Sequence, residues 1–108
     1  MISIDDFKKV EIKAGKILTA EKVPDTDKLV RLTVDFAEET PRQIVSGIAM
    51  HFPDVSALVG KTCTFITNLE PRTIKGLESN GMILALSTEN AFSLLEPSSP
   101  VPPGTSAH

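Results

Sequence analysis

Strict alternation of apolar and polar residues from Lys28 to Phe36 is the feature that most limits the fold of this chain. Successive side chains of a β-strand point to opposite faces, so this pattern predicts a strand with one buried and one open face. The open face includes Arg31, which we expect to point outward. The buried face is predicted to consist of Val30, Leu32, Val34 and Phe36.

Further runs rich in apolar and β-branched residues predict four more strands, over residues 11–23, 42–48, 62–69 and 82–87. Gly15 interrupts the first strand, as happens where a long strand bends or bulges. Gly47 is expected to weaken the ladder of the third strand and to permit a close backbone approach. Ser3-Ile4-Asp5-Asp6 has the form of a capping box and predicts a short N-terminal helix. Pro53 and Gly60 bracket one internal helix.

Five short strands, with the first long and bent and one helix between the third and fourth, form the element order of the OB-fold. The predicted fold class is therefore all-β with minor helix: a five-stranded Greek-key barrel with a short N-terminal helix and a C-terminal extension. A chain of 108 residues suits a single domain. We place the barrel at about 10–88 and a dimerisation extension at about 89–108.

Apolar residues that continue past the fifth strand predict a homodimer, because a small barrel has little interior left for them. The N-terminal helix is expected to contribute to the same interface. The residues concerned in the extension are Phe92, Leu94, Leu95 and Val101.

Composition excludes several classes of protein. A net charge of −3 argues against a protein that coats nucleic acid without specificity, because such binding needs clustered cations. The acidic N-terminus and the short apolar runs predict neither a signal peptide nor a membrane span, so we expect a cytoplasmic protein.

Residues that could catalyse a reaction or bind a metal are also scarce. The lone Cys63 falls in an apolar strand and is expected in the core, while His51 and His108 are too few for a metal site. The chain has no phosphate-binding Gly-Lys-Ser/Thr loop and no Gly-x-Ser-x-Gly elbow. We therefore expect no metal, no cofactor and no catalytic activity.

The polar stretch from Asn68 to Met82 is the candidate binding segment. It places Arg72 and Lys75 between two predicted buried strands, and binding sites often lie on loops held by a rigid scaffold. The alternative is a hairpin connection whose charges are simply solvated.

The absence of Trp and Tyr limits how the chain could bind RNA. Single-strand binders of this fold stack bases on exposed aromatic rings, and most of the five phenylalanines here fall at inward positions. If the chain binds RNA, we expect it to recognise shape and backbone.

Four motifs occur in one order along nearly the whole chain: Asp27-Lys28-Leu29, Gln43 to Ala49, Asn68-Leu69-Glu70-Pro71-Arg72, and Ser79 to Ala85. Together they resemble the structure-specific tRNA-binding domain family. That family includes the C-terminal domain of methionyl-tRNA synthetase, free-standing tRNA-binding proteins, domains of synthetase cofactors and a secretion-chaperone-like branch.

The resemblance implies an OB-fold homodimer that contacts tRNA through one face of the barrel, alone or beside a synthetase catalytic subunit. A free-standing protein, a β subunit and an excised synthetase domain all remain open, as does a peptide-binding export chaperone of the same fold. Met82 has two interpretations, a contact to a base edge or core packing. The implied tRNA-binding residues are Lys28, Arg31, Ser46, Asn68, Arg72, Ser79 and Met82, with Arg42 and Lys75 added for charge and adjacency.

Overall fold

The computed structural model describes residues 1–108, and antiparallel strands make up most of its regular structure. A four-residue helix, α1, precedes the strands, and two 3₁₀-helices lie between the third and fourth strands. The helical segments are α1 Ile4–Phe7 and the 3₁₀-helices Ala49–His51 and Val55–Leu58. The strands are β1 Ile12–Lys22, β2 Val30–Asp35, β3 Arg42–Ser46, β4 Thr62–Ile66, β5 Arg72–Ile74, β6 Leu77–Ser79, β7 Met82–Ile83, β8 Ala85–Ser87 and β9 Phe92–Leu94.

Five strands form one sheet in the order β3-β2-β1-β4-β7, and every pairing within it is antiparallel. β1 is long enough to pair with β2 along one part and with β4 along another, which lets the sheet curl on itself. Two hairpins, β5–β6 and β8–β9, lie outside this sheet. The predicted five-stranded OB-like barrel is confirmed.

The barrel interior contains the residues that the alternating pattern of β2 predicted. Val30, Leu32 and Val34 are fully buried, and Phe36 packs edge-to-face on Phe65 with ring centroids 5.2 Å apart. Cys63 lies in the same core as expected, and burial raises the pKa of its thiol to about 11. A thiol in this state is a packing group with little nucleophilic character.

Side chains complete the barrel where the two ends of the sheet meet. The amide of Asn80 donates to the carbonyl of Gln43 over 2.9 Å, and the Gln43 side chain donates to the carbonyl of Glu78. The Ser79 hydroxyl accepts a 3.0 Å hydrogen bond from the amide of Val45. β3 is therefore joined to the β6–β7 segment largely through polar side chains, because few direct backbone bonds connect the two.

The C-terminal tail returns to the start of β1. The amide of Ala14 donates to the carbonyl of Thr105. The amide of Gly104 donates to the carbonyl of Ala14, and the amide of Ala107 donates to the carbonyl of Ile12. The β8–β9 segment is also tied to β4, since Thr64 donates to the carbonyl of Leu95 over 3.0 Å. Residues 89–108 thus supply backbone hydrogen bonds to the strands of the barrel.

The helix α1 forms where the capping box predicted it. The amide of Asp6 donates to the Ser3 hydroxyl over 3.1 Å, while the Asp6 carboxylate accepts from the amide of Ser3. No residue of α1 is buried. No helix in the chain has the length and apolarity needed to span a membrane.

The predictions for two glycines were wrong in their physical reason. The irregularity in β1 lies between Ile17 and Thr19, and Gly15 is instead required because the Phe36 ring packs directly against it. Gly47 follows β3 and has open space where a side chain would stand. No close backbone approach explains Gly47.

Two segments are more divided than predicted. The helix expected between Pro53 and Gly60 is the second of two separate 3₁₀-helices. The fifth strand breaks into β7, which pairs with β4, and β8, which pairs with β9. Within that run only Ile83 is fully in the core, because β8 leaves the barrel to form its own hairpin.

Replacing Gly15 with Ala should destabilise the fold. A Cβ atom there would lie 2.5 Å from Cε1 of Phe36 and 2.6 Å from Cγ1 of Val34, both in the packed core. Overpacking of this kind costs about 1–3 kcal/mol, so the thermal midpoint should fall by roughly 5–20 °C.

Gly47→Ala is the matched control, because the same added methyl group meets nothing within 4 Å. Its midpoint should stay within about 3 °C of the parent protein. If the two variants have the same thermal midpoint in calorimetry, Phe36 can move aside at little cost and the overpacking argument fails.

Candidate nucleic-acid interface

A groove runs along the barrel between the end of β3, the β5–β6 hairpin and β7. Its volume is about 270 Å³, and six of its twelve lining residues are hydrophobic. We call it the β3–hairpin groove. Its lining residues are Leu29, Val45, Ser46, Gly47, Leu69, Glu70, Arg72, Ile74, Ser79, Gly81, Met82 and Ile83.

Arg72 is the cation of this groove. It begins β5, pairs in register with Ser79, is exposed and has no carboxylate partner within the chain. Glu70 lines the same groove two residues earlier but forms no ion pair with it. An exposed guanidinium without a partner is available for bidentate contact with a phosphate.

Ser79 lies beneath the groove with its hydroxyl already engaged. Only 4% of the residue is exposed, and besides accepting from Val45 its oxygen lies 3.2 Å from the carbonyl of Gly81. The resemblance implied a tRNA contact for Ser79, but in this structure its hydroxyl faces the protein and not the solvent. Ser79 shapes the groove by joining β6 to β3.

Met82 is on the surface of the groove, 40% exposed, while its neighbour Ile83 is buried beneath it. Alternation along β7 turns the two side chains in opposite directions. Met82 is therefore neither fully exposed nor part of the buried core, and its exposed part faces the groove. Ser46, at the end of β3, lines the groove and is half-buried.

Lys75 and Arg31 lie together in a second groove, of about 390 Å³, at the end of β1 and the start of β2. Lys75 and Gly76 form the tip of the β5–β6 hairpin with φ angles of +51° and +78°, the pattern of a tight hairpin turn. Lys75 makes no ion pair, whereas Arg31 is paired with Glu21. Arg31 points outward as predicted, with its charge partly neutralised.

The side chain of Arg42 is engaged in hydrogen bonds and an ion pair within the protein. Its guanidinium binds the Glu38 carboxylate at 2.7 Å and donates to the carbonyl oxygens of Thr67 and Asn80. The hydrogen bond with Glu38 raises the pKa of Arg42 and lowers the pKa of Glu38. Arg42 therefore joins β3 to the segments after β4 and β6, and its charge is not free for a ligand.

Asn68 is likewise used internally. Its Oδ1 accepts from the amide of Glu11 at 2.8 Å, and its Nδ2 donates to the carbonyl of Lys9 at 2.7 Å. Next to it, the Thr67 hydroxyl donates to the Glu11 carboxylate and lowers the pKa of that group. Asn68 thus ties the segment after α1 to the end of β4.

Lys28 is exposed and makes no ion pair, and its carbonyl accepts a hydrogen bond from the amide of Ala49. That bond places Lys28 between the end of β1 and the first 3₁₀-helix. It borders the β3–hairpin groove through its neighbour Leu29 but does not line it.

The structure thus gathers four of the nine predicted site residues in one groove and disperses the other five. Leu29, Gly47 and Ile74 also line the groove but were not among the predicted contacts. Leu29 and Gly47 belong to the four sequence motifs, so the motifs could have identified them as groove residues. The residues in the groove are Ser46, Arg72, Ser79 and Met82.

The family described as "Putative tRNA binding domain" matches residues 12–106 of the chain. A methionine–tRNA ligase of Methanoregula boonei is 58% identical over 106 residues, which is 97% of this chain and 15% of that protein. The chain therefore spans about 15% of the length of the curated relatives it matches.

Two solved structures have the same fold along the whole chain. A protein described as MetRS-related, from Pyrococcus horikoshii, is 38% identical with a TM-score of 0.91, and the match covers 100% of this chain and 98% of that one. The chaperone CsaA from Bacillus anthracis is 26% identical with a TM-score of 0.88, covering 100% and 99%. Motif order, barrel topology and the matched residues agree, and the chain belongs to the tRNA-binding domain family.

Proposed function

We propose that the chain binds folded tRNA through the β3–hairpin groove, recognising phosphate positions and local shape. The observation that supports this most directly is Arg72, an exposed residue that lines the groove and has no carboxylate partner within the chain. Membership of the tRNA-binding domain family supports the choice of ligand.

The available cations are few, because several of the eleven Lys and Arg residues already pair with acids. Arg72, Lys75 and Lys28 remain free around the groove, the hairpin tip and the adjoining loop. Three separated charges fit a fixed array of phosphates better than a continuous strand, since a folded RNA holds its phosphates at set distances. Met82 offers an adaptable apolar contact beside them.

We further propose that the chain acts as an auxiliary module for methionine–tRNA ligase in the cytoplasm. Its ligase relatives contain it as a small part of a longer protein. A tethered or associated tRNA-binding domain raises the effective concentration of tRNA near the catalytic part without doing chemistry itself. A free-standing protein would hold tRNA by the same contacts.

Peptide binding is the second candidate, favoured by the half-apolar lining of the groove and by the full-length match to a CsaA chaperone. An extended apolar segment could rest on Leu29, Ile74 and Met82 without using a cation. The two functions are separable, because only RNA binding depends on Arg72 and on salt.

We also propose a homodimer whose interface is formed mainly by the N-terminal segment, which was expected to contribute, and less by the C-terminal extension. Phe92 and Leu94 pack against the barrel core, and Leu95 and Val101 are half-buried in a single copy. The apolar surface left uncovered is concentrated in the N-terminal segment, which a second copy would bury. Its exposed residues are Met1, Ile2, Ile4, Phe7 and Val10.

Arg72→Ala should weaken tRNA binding and flatten its salt dependence. Loss of one phosphate contact reduces the slope of log affinity against log salt by about 1. Filter binding at several salt concentrations measures both quantities.

Lys16→Ala is the control for charge. Lys16 is exposed in the middle of β1, unpaired and outside the groove, and the variant has the same net charge as Arg72→Ala. Its affinity and slope should match the parent protein. Identical curves for all three proteins would remove Arg72 from the binding site.

Folded tRNA should compete far better than a single-stranded oligonucleotide of the same length. The unstructured strand presents no fixed phosphate array to Arg72, Lys75 and Lys28, whereas unrelated tRNAs share one overall shape. Several tRNAs should displace one another at similar concentrations. If an unfolded apolar peptide displaces tRNA while the oligonucleotide and tRNA compete equally, the groove is a peptide site and the shape hypothesis fails.

Light scattering should give a mass of twice 11.6 kDa at micromolar concentration. Ile4→Asp should shift the protein to a monomer, because it places a charge in the apolar N-terminal segment. Met50→Asp, at a residue 68% exposed against 65% for Ile4, is the matched control and should remain dimeric. A parent protein that scatters as a monomer contradicts the assembly.

A further inference from the structure

Three rings form a cluster on the surface beyond the β3–hairpin groove. His51, the last residue of the first 3₁₀-helix, stacks on Phe92 of β9 with ring centroids 3.9 Å apart and planes 6° from parallel. Phe52 meets the same Phe92 ring edge-on, with centroids 5.8 Å apart. Phe52 and Phe92 are partly buried and pack against the barrel core, so they fix the position of the histidine.

The imidazole of His51 has one covered face and one open face. The residue is exposed although Phe92 lies parallel against one side, so its solvent-accessible surface is the opposite face and the ring edge. No hydrogen bond or ion pair within the chain involves this side chain. Stacking alone holds the ring flat against the surface.

Charged residues lie near this ring. A depression of about 280 Å³ beside it includes Lys61 and Glu96, whose charged atoms are 3.5 Å apart and well exposed. The carbonyl of Lys28 accepts a hydrogen bond from the amide of Ala49, two residues before His51, so the Lys28 backbone lies near the same 3₁₀-helix. The nearest acid in sequence, Asp54, is hydrogen-bonded to Ser56, an interaction that lowers its pKa.

We propose that the open face of His51 is a stacking platform for one unpaired nucleobase of the bound RNA. The inference rests on the proposed tRNA-binding function and adds a base contact outside the groove. Because the His51 ring is flat, already stacked on Phe92 and held in place, a third ring can stack in parallel on its open face. Offset parallel stacking is a preferred geometry for aromatic rings. Lys28 makes no ion pair and lies near this 3₁₀-helix, so its charge is free to meet a phosphate beside that base.

Such a platform explains how a chain without Trp or Tyr could still bind a base. It would tolerate any base, because every nucleobase has a π-face, and would therefore not distinguish one tRNA from another. The contact requires an unpaired base, which folded RNAs present in loops and at ends.

Binding and melting of three variants test the platform. His51→Ala should weaken tRNA affinity by roughly 5- to 100-fold, the usual effect of losing one stacked base, while His51→Phe should retain affinity within about threefold. All variants should keep the salt slope, unlike Arg72→Ala. A His51→Ala protein with a lowered thermal midpoint but parental affinity would show that His51 only shields Phe92, and would overturn the proposal.

His51→Trp supplies a direct spectroscopic test, because the chain has no other Trp and no Tyr. Addition of tRNA should quench the emission of this single indole if a base stacks on it. Quenching should saturate at the concentration at which filter binding saturates. Binding without any change in emission contradicts the stacking platform while leaving the groove intact, whereas absence of tRNA binding by the parent protein overturns the proposed function and the platform together.

Discussion

The structure depends on how β3 meets the β6–β7 segment. Four strand pairings leave one gap in the sheet, and this gap is bridged by the hydroxyl of Ser79, the guanidinium of Arg42 and the amide of Asn80. Gly81, at φ +151°, provides the backbone bend that these bonds require. Because buried polar groups of this kind are costly to leave unpaired, the closure also fixes the shape of the groove that lies directly above it.

Barrel closure and the proposed binding surface therefore involve different members of the same motifs. In the Asn-Leu-Glu-Pro-Arg stretch, Asn68 ties the chain together and Arg72 faces solvent; in the Ser-Asn-Gly-Met stretch, Ser79 is buried and Met82 is exposed. Each motif joins a structural residue to a surface residue three or four positions away. A motif of this form therefore combines residues of the fold with residues of the proposed binding surface.

Much of the barrel was predictable because its strands obey a local rule. The alternation in β2 identified Val30 to Phe36 correctly, and the capping box located α1. The bridging roles of Ser79, Arg42 and Asn68 were not predictable from local pattern, because the distant strands and loops that they join lie 25 to 59 residues away along the chain. The His51–Phe92 stack was missed for the same reason, since its rings come from distant segments.

The pairing of the C-terminal tail with β1 bears on the order in which this protein folds. Ala107 bonds to Ile12, so this contact joins opposite ends of the sequence and closes a loop of nearly the whole chain. Such non-local pairings form late, because the entropy of loop closure opposes them until the intervening strands have assembled. We therefore expect the start of β1 to acquire its final hydrogen-bond partners last, and amide exchange there to report local opening of the tail before the rest of the barrel unfolds.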